Sequence, residues 1–160
     1  MTESRVRIAL EPVMRRVFHA YWRFARAATL GVRGLVIDGE DRIFLIRHSY
    51  VRGWHLPGGG VETAETLLAA LTRELREEGN IELTAPPSLY GMYFNRRASK
   101  RDHVALFVVR DFRQSGPPKP NFEIAEAGFF ARDNLPAGTT EGTRARITEV
   151  FDGKPAAEFW

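Results

Sequence analysis

The sequence predicts a mixed α/β domain preceded by a separate helix, and three observations lead to this prediction. Apolar, strand-like segments recur between residues 29 and 131. Two segments of helical periodicity, at 64–79 and 141–151, interrupt and follow these strands, an alternation typical of α/β domains. The chain has 160 residues, of which 44% are hydrophobic, and this length fits one domain with a sizeable core.

The first 28 residues differ from the rest of the chain in charge. They hold six arginines against Glu3 and Glu11, so the net charge of +3 leaves −1 for residues 29–160. Residues 11–26 are predicted to form an amphipathic helix with Pro12 in its first turn. We expect this N-terminal extension to pack on the domain at 29–160 or on a dimer partner. The alternative is a basic helix that lies on an anionic membrane surface.

The remaining elements follow from apolar runs separated by turn signals. The turn "DGED" joins two strands, and the loop "RGWHLPGGG" leads to the next helix. The segment "QSGPPKPN" excludes a central strand, because proline cannot donate to the ladder. Thr63 is the expected N-cap of the helix at 64–79. The predicted strands cover residues 29–37, 42–47, 81–83, 88–95, 102–112 and 123–131.

Composition excludes several classes of protein and site. The chain contains no cysteine, which excludes disulfides and thiolate sites. No apolar run approaches the roughly 20 residues of a membrane span, and residues 1–28 lack the features of a signal peptide, so we expect a cytoplasmic protein. Because the excess basic charge lies largely in the N-terminal segment, we expect no DNA partner and disfavour RNA.

The helix at 64–79 carries clustered carboxylates beside an apolar stripe. At about 100° per residue, one side of the helix is predicted to be buried, and it comprises Ala64, Leu67, Leu68, Leu71 and Leu75. The carboxylates of Glu74, Glu77 and Glu78 share the neighbouring side of the helix. Glu78 falls on the apolar line itself, so the sequence predicts that one of these three carboxylates is buried.

This arrangement of carboxylates leads to the prediction of a metal site. Three carboxylates at i, i+3 and i+4 repel one another near the negative end of the helix dipole, and a buried one loses its hydration. The alternative is a solvated helix face with an Arg73–Glu77 ion pair. A divalent cation would offset both the repulsion and the desolvation. Hard oxygen ligands favour Mg²⁺, with Mn²⁺ as a substitute.

Residues 59–81, "GGVETAETLLAALTRELREEGNI", resemble the signature of the Nudix hydrolase family, Gly-x5-Glu-x7-Arg-Glu-U-x-Glu-Glu-x-Gly-U, in which U is a bulky aliphatic residue. Every defined position matches except Asn80, which stands where the last glycine is expected. The segments "GWHLPGG" and "FFARDNLP" are also similar to the family, which extends the resemblance over most of residues 29–136. Because asparagine tolerates the left-handed conformation best after glycine, we expect Asn80 to have a positive φ.

The resemblance implies an α/β/α sandwich with a mixed sheet, and an enzyme that hydrolyses a nucleoside diphosphate linked to another moiety X. Metal-activated water would attack one phosphorus and release a nucleoside monophosphate and phosphorylated X. The implied metal-binding and catalytic carboxylates are Glu74, Glu77 and Glu78, with the backbone carbonyl of Gly58 or Gly59 as a further ligand.

The resemblance also suggests roles outside the metal ligands. Arg73 would orient the acidic side chains together with Glu65. The general base varies within the family, and we prefer Glu123 to Glu126 because it follows the proline-rich loop; either is otherwise a carboxylate on a strand surface. The candidate substrate-binding residues, each of which is otherwise a core or rim residue, are Arg47 for phosphate and Tyr50, Trp54 and Phe94 for stacking on a base.

Two other functions remain as alternatives. One is a Nudix-fold binding or regulatory domain without turnover, against which the intact carboxylates argue. The other is an RNA-end pyrophosphohydrolase, which the balanced charge of residues 29–160 disfavours. The predicted partner is therefore a small-molecule nucleotide, with a homodimer left open. The residues that would serve RNA are Arg96, Arg97, Lys100 and Arg101, whereas His48, His55 and His103 lack metal-ligand spacing and are interpreted as structural or rim residues.

Overall fold

The computed structural model describes residues 27–118 and 122–160, together with Met14, Phe18 and Tyr21. Apart from these three residues, the helix predicted at 11–26 lies outside the part of the chain that the structure describes. No helix within the described residues is long and apolar enough to cross a membrane.

Residues 27–118 and 122–160 form seven strands and two α-helices, one helix after the second strand and the other after the seventh. The elements are β1 (Thr29–Val36), β2 (Ile43–His48), α1 (Leu67–Gly79), β3 (Ile81–Leu83), β4 (Ser88–Phe94), β5 (Asp102–Val109), β6 (Phe112–Gln114), β7 (Ile124–Phe130) and α2 (Glu141–Phe151). The predicted strands are therefore present within one or two residues at most ends. The strand predicted at 102–112 is divided, because the chain turns at Arg110 and Asp111 between β5 and β6.

The strands pair in both directions, as expected for a mixed sheet. β1 runs parallel to β5 over its full length, from Thr29 opposite Asp102 to Val36 opposite Val109. β4 runs antiparallel on the other side of β5. β2 pairs with β7 and β3 with β6, both antiparallel. Because parallel strands need a long crossover, the chain passes through α1 between β1 and β5.

Apolar layers cover both faces of the strands and confirm the α/β/α architecture. α1 buries Leu71 and Leu75 in one layer with Val32 and Val36 of β1. α2 buries Ile147 in the other layer with Leu35. Because successive strand residues point to opposite faces, β1 contributes to both layers.

The start of α1 differs from the prediction. The helix begins at Leu67, and its N-cap is Thr66, whose hydroxyl accepts the N–H of Ala69 at 3.1 Å. Thr63 is therefore not the cap. Ala64 has a φ of 66°, which a helix does not accommodate, and Leu68 is 45% exposed. The predicted apolar stripe was one turn too long at its start.

The end of α1 agrees with the prediction for Asn80. This residue is the C-cap, with φ 51° and ψ 37°, which is the left-handed conformation. Its backbone N–H bonds to the carbonyl of Arg76, and its side-chain amide donates to Ser115 Oγ at 3.2 Å and to the carbonyl of Gly116 at 3.1 Å. Asparagine thus replaces the expected glycine and adds a tie to the segment after β6.

Candidate active site

The glycine loop, residues 57–61, runs along the free edge of β1. Val32 N–H donates to the carbonyl of Gly59, and Gly34 N–H to that of Pro57, both at 2.9 Å. Gly58 has a φ of 135°, and a Cβ there would lie 2.1 Å from the carbonyl oxygen of Val32. This close approach requires glycine, and it places the loop between β1 and the acidic end of α1.

The loop also determines the environment of two carboxylates on α1. Gly58 N–H donates to Glu78 Oε2 at 2.6 Å. A Cβ on Gly59 would lie 2.4 Å from Glu74 Oε1, so only glycine leaves room for that carboxylate. The two glycines therefore hold the acidic helix against the loop, one by donating a hydrogen bond and the other by lacking a side chain.

Glu78 is the buried carboxylate predicted from the helix geometry, with only 6% of its surface exposed. Its Oε1 lies 3.7 Å from Nε2 of His48. Burial raises the pKa of Glu78 to about 7, against the lowering effects of the Gly58 hydrogen bond and the charge of Arg33. Burial also lowers the pKa of His48, so this neighbour is uncharged near pH 7.

Arg73 organises the carboxylates on the exposed side of the site. Arg73 donates two hydrogen bonds of 3.0 Å to the carboxylate of Glu65 and one of 2.7 Å to Glu74 Oε1. Glu77 Oε2 lies 3.7 Å away. The hydrogen bonds to Glu65 and Glu74 raise the pKa of Arg73 above its ordinary value. Arg73 and Glu65 are thus paired as expected, and Glu74 shares this network.

The donor set suits a divalent cation, although the carboxylates are not gathered at one point. Within the described residues, no three His, Asp or Glu side chains are grouped closely enough to form a ready metal site. Glu77 is 53% exposed and Glu74 only 13%. All donors are carboxylate or carbonyl oxygens, the ligands that Mg²⁺ prefers. A cation there would neutralise Glu78, whose neighbour His48 carries no charge near pH 7.

Arg33 is a second cation beside the glycine loop, and it was not predicted. Its Nη1 donates to the carbonyls of Leu56 at 2.9 Å and Gly58 at 2.5 Å. Burial lowers the pKa of Arg33, while the negative charges of Glu78 and Glu74 oppose this effect. The peptide at Gly58 therefore receives a charged donor at its carbonyl and gives its own N–H to Glu78.

The two candidate bases before and within β7 have different surroundings. Glu126 forms an ion pair with Arg47 across the β2–β7 pair, at 2.5 Å. Glu123 lies at the end of β2, where its carbonyl accepts Ser49 N–H at 2.8 Å. Its negative charge acts on Glu78, whose pKa it helps to raise. Glu123 therefore lies near the buried carboxylate of Glu78, whereas Glu126 is paired with Arg47.

The three aromatic candidates lie in different surroundings. Tyr50 is 69% exposed and its ring centroid lies 5.2 Å from that of His48, so it stands at the mouth of the site. Trp54 is buried in the core against Phe130, which leaves its ring unavailable to a base. Phe94 packs between His103 and Phe159.

A cleft of about 760 Å³ opens on the α2 side of the glycine loop. Arg33, Gly59 and Gly60 line the wall nearest the carboxylates. The opposite walls comprise the start of β1, Asn95, Arg97 and Ala98, the first turn of α2, and Trp160. Arg97, one of the four basic loop residues, pairs with Glu141 at the cleft rim. The cleft therefore adjoins the acidic helix through the glycine loop.

Sequence reasoning missed three residues of this site. His48 was interpreted as a structural or rim residue but contacts Glu78. Trp160 lies beyond the last predicted helix, at 141–151, yet its backbone N–H donates to the carbonyl of Phe94 and its side chain lines the cleft. Arg33 left one signal, because it is the single charged residue of β1, whose other residues are apolar apart from Thr29.

Comparisons with known proteins agree with this geometry. The family model of the NUDIX domain matches residues 28–151. The chain is 33% identical over 104 residues to the ADP-ribose pyrophosphatase of Methanocaldococcus jannaschii, which covers 63% of this chain and 61% of that protein. It is 29% identical over 125 residues to the MutT-like protein of Streptomyces ambofaciens, covering 78% of each. The solved MutT NUDIX hydrolase from Burkholderia pseudomallei superimposes with a TM-score of 0.65 at 26% identity, over 78% of this chain and 98% of that one.

Proposed function

The chain belongs to the Nudix hydrolase family, and on that premise we propose that it is a divalent-metal-dependent pyrophosphohydrolase. Its substrate would be a nucleoside diphosphate linked to a second moiety X, cleaved between the two phosphorus atoms. The observation that carries this proposal is Glu78, a buried carboxylate at the point where the acidic helix meets the glycine loop.

Mg²⁺, or Mn²⁺ in its place, would be held by the acidic face of α1. The proposed ligands are Glu74, Glu77 and Glu78, with the backbone carbonyl of Gly59. Such an ion offsets the charge of the pyrophosphate and lowers the pKa of a bound water. The oxygen-only donor set and the absence of a side chain at Gly59 support this assignment.

The chain's own residues would position the acid groups and accept the proton. Arg73 holds Glu74 and Glu65 in place through the hydrogen bonds described above. Gly58 N–H fixes the carboxylate of Glu78. Attack of water on phosphorus forms a P–O bond, breaks the bridging P–O bond and releases one proton. We assign that proton to Glu123, whose surroundings near Glu78 favour it over Glu126.

The cleft would hold the part of the substrate that lies beyond the pyrophosphate. Its volume of about 760 Å³ is sufficient for a nucleotide-sized group. Asn95 supplies amide donors and acceptors, and Trp160 supplies an aromatic ring. The name of the Methanocaldococcus relative makes ADP-ribose the first substrate to test.

The test is a substrate panel assayed with Mg²⁺, with Mn²⁺ and with EDTA, scored by release of nucleoside monophosphate from the small nucleotides and of pyrophosphate from the RNA. The panel contains ADP-ribose, a dinucleotide, a nucleoside triphosphate, a sugar nucleotide and a 5′-triphosphorylated RNA. The expected result is metal-dependent turnover of at least one small nucleotide. Turnover of the RNA alone would favour the RNA-end alternative. Nucleotide binding without turnover of any substrate would favour the regulatory-domain alternative.

A further inference from the structure

Arg33 lies in β1 and faces the cleft. In β1, Val32 and Val36 belong to the layer under α1, whereas Leu35 belongs to the layer under α2. The alternation of a strand therefore directs Arg33 to the α2 side, where it lines the cleft beside Gly59. A charged side chain that is partly buried on a strand between two apolar layers is unusual and needs a partner.

The hydrogen bonds of Arg33 use only part of its guanidinium. Nη1 donates to the carbonyls of Leu56 and Gly58, which occupies both of its hydrogens. A guanidinium has five N–H donors. Nε and Nη2 make no hydrogen bond to another described residue, so three donors remain on a partly buried cation that lines the cleft.

The charge of Arg33 also lacks a contacting anion within the described residues. Glu78 and Glu74 act on it electrostatically, but neither lies within ion-pair distance of its guanidinium. A partly desolvated cation with open donors is stabilised by an anionic oxygen that reaches it. The open side of Arg33 is the cleft, so that oxygen would arrive with a bound ligand.

We infer that Arg33 binds the substrate directly, donating from Nε and Nη2 to two phosphoryl oxygens on the cleft side of the pyrophosphate. This inference rests on the proposed function for the identity of the anion. The planar, two-donor edge of a guanidinium matches two phosphoryl oxygens, which a lysine ammonium does not. Nη1 keeps the guanidinium in place on the glycine loop, so the phosphate is bound next to Gly58 and Glu78.

A purely structural role is the competing explanation, because Arg33 also holds the loop carbonyls. The two roles predict different results. If Arg33 only holds the loop in place, its substitution would change kcat and thermal stability and leave the affinity for phosphate unchanged. A substrate contact would weaken phosphate binding even where no reaction occurs.

The experiment compares Arg33→Met, Arg33→Lys and the wild type, with Arg110→Met as the matched control. Arg110 is an exposed arginine that pairs with Asp41 in the turn after β1. Inorganic pyrophosphate is titrated into metal-free protein by calorimetry, and KM and kcat are measured on the best substrate of the panel. We expect Arg33→Met to weaken pyrophosphate binding and raise KM by about 10- to 100-fold, Arg33→Lys to recover part of the loss, and Arg110→Met to match the wild type.

The inference is overturned if the wild type does not bind pyrophosphate, or if Arg33→Met binds it as the wild type does. Should Arg33→Met fail to fold, Arg33→Lys decides, because wild-type binding and KM in that variant would exclude a two-donor contact. Substrate turnover with an unchanged KM in the Arg33 variants would reject the inference and leave the proposed function intact. Pyrophosphate binding that depends on Arg33, without turnover of any substrate, would support the inference and reject the proposed function.

Discussion

The carboxylate of Glu78 is buried, and a backbone hydrogen bond holds it in place rather than a charged partner. Its Oε2 accepts Gly58 N–H, and its Oε1 faces the neutral imidazole of His48. In the metal-free protein, the ionised form of Glu78 is therefore poorly solvated. A bound cation would offset the free energy that this poor solvation of ionised Glu78 costs.

The raised pKa of Glu78 has a consequence for stability without metal. Between its unfolded value of 4.5 and its folded value of about 7, the folded protein keeps a proton that the unfolded chain releases. The contribution of Glu78 to the free energy of unfolding is thus complete below pH 4.5 and is lost as the pH rises through 7.

We therefore expect wild-type protein in EDTA to lose roughly 1–3 kcal/mol of stability relative to Glu78→Gln between pH 4.5 and 8. Paired denaturant titrations of the two proteins at several pH values measure this difference. Groups that lie far from Glu78 titrate alike in both proteins and cancel in the comparison. A difference that does not change with pH would contradict the raised pKa of Glu78.

Asn80 gives a prediction about the backbone. Its φ of 51° favours glycine or asparagine, and its amide makes two hydrogen bonds to the segment after β6. Asn80→Ala should lower the free energy of unfolding by about 1–3 kcal/mol, because it combines left-handed strain with the loss of those bonds. Asn80→Gly should cost less, since only the bonds are lost. Chemical denaturation measures both, and equal losses would show that the conformation of Asn80 carries no strain.

At the scale of single residues, the sequence located side chains that depend on helix geometry and missed those that depend on the loop. The helical angle placed Glu78 on the buried line, and Arg73 and Glu65 pair as expected. Arg33 acquires its role because residues 56–58 lie beside β1, a tertiary contact that no local pattern reports. Trp54 takes the core position that the sequence left open as an alternative, and this too depends on a tertiary contact, its packing against Phe130.

Helix α1 depends on its cap at the scale of the element. The hydroxyl of Thr66 accepts the N–H of Ala69, one of the donors that the first turn leaves without a helical partner. Thr66→Ala should therefore lower the free energy of unfolding by about 1 kcal/mol. Thr63→Ala is the matched control, because Thr63 is exposed and lies before the helix. Equal effects of the two substitutions in thermal denaturation would contradict the assignment of the cap.

The C-terminal segment pairs with the end of the edge strand β4 and forms a wall of the cleft. Phe94 N–H donates to the carbonyl of Glu158, and Trp160 N–H donates to that of Phe94. The indole of Trp160 lies directly over Gly142 in the first turn of α2, where a Cβ would stand 2.6 Å from its Nε1. The position of this wall therefore depends on glycine at 142.

Gly142→Ala should displace Trp160 and destabilise the protein by about 1–3 kcal/mol, despite the better helix propensity of alanine. It should also raise KM, because the wall of the cleft moves. The measurements are thermal unfolding, tryptophan fluorescence and steady-state kinetics, with Gly116→Ala as the control since a Cβ there meets no atom within 4 Å. Unchanged fluorescence and KM in Gly142→Ala would exclude this wall from the substrate site.

Elements with strong periodicity were predicted well, and their ends less so. α2 has the predicted bounds, and the strands follow their apolar runs. The start of α1 was misplaced because Ala64 fits the apolar stripe by its angle, whereas its backbone has a positive φ. Both Thr63 and Thr66 can act as caps, and the local sequence does not distinguish them. The short strand β6 was joined to β5 because the turn at Arg110 and Asp111 contains neither glycine nor proline.

At the scale of the whole molecule, β1 separates two chemical environments. The acidic end of α1 lies on one face, and the cleft under α2 opens on the other. The glycine loop at the edge of β1 contacts both, through Gly58 to Glu78 and through Gly59 to the cleft. A substrate whose pyrophosphate crosses this loop would be held in the cleft and cleaved beside the carboxylates.

The measurement that tests this account most directly is kcat with Mg²⁺ for the wild type and Glu78→Gln, with Glu82→Gln as the matched control. Glu82 is an exposed glutamate of β3, four residues from Glu78 and outside the site. We predict that Glu78→Gln lowers kcat by at least about 100-fold while the protein remains folded, and that Glu82→Gln keeps wild-type activity. Near-normal turnover by folded Glu78→Gln would contradict the central role assigned to this buried carboxylate.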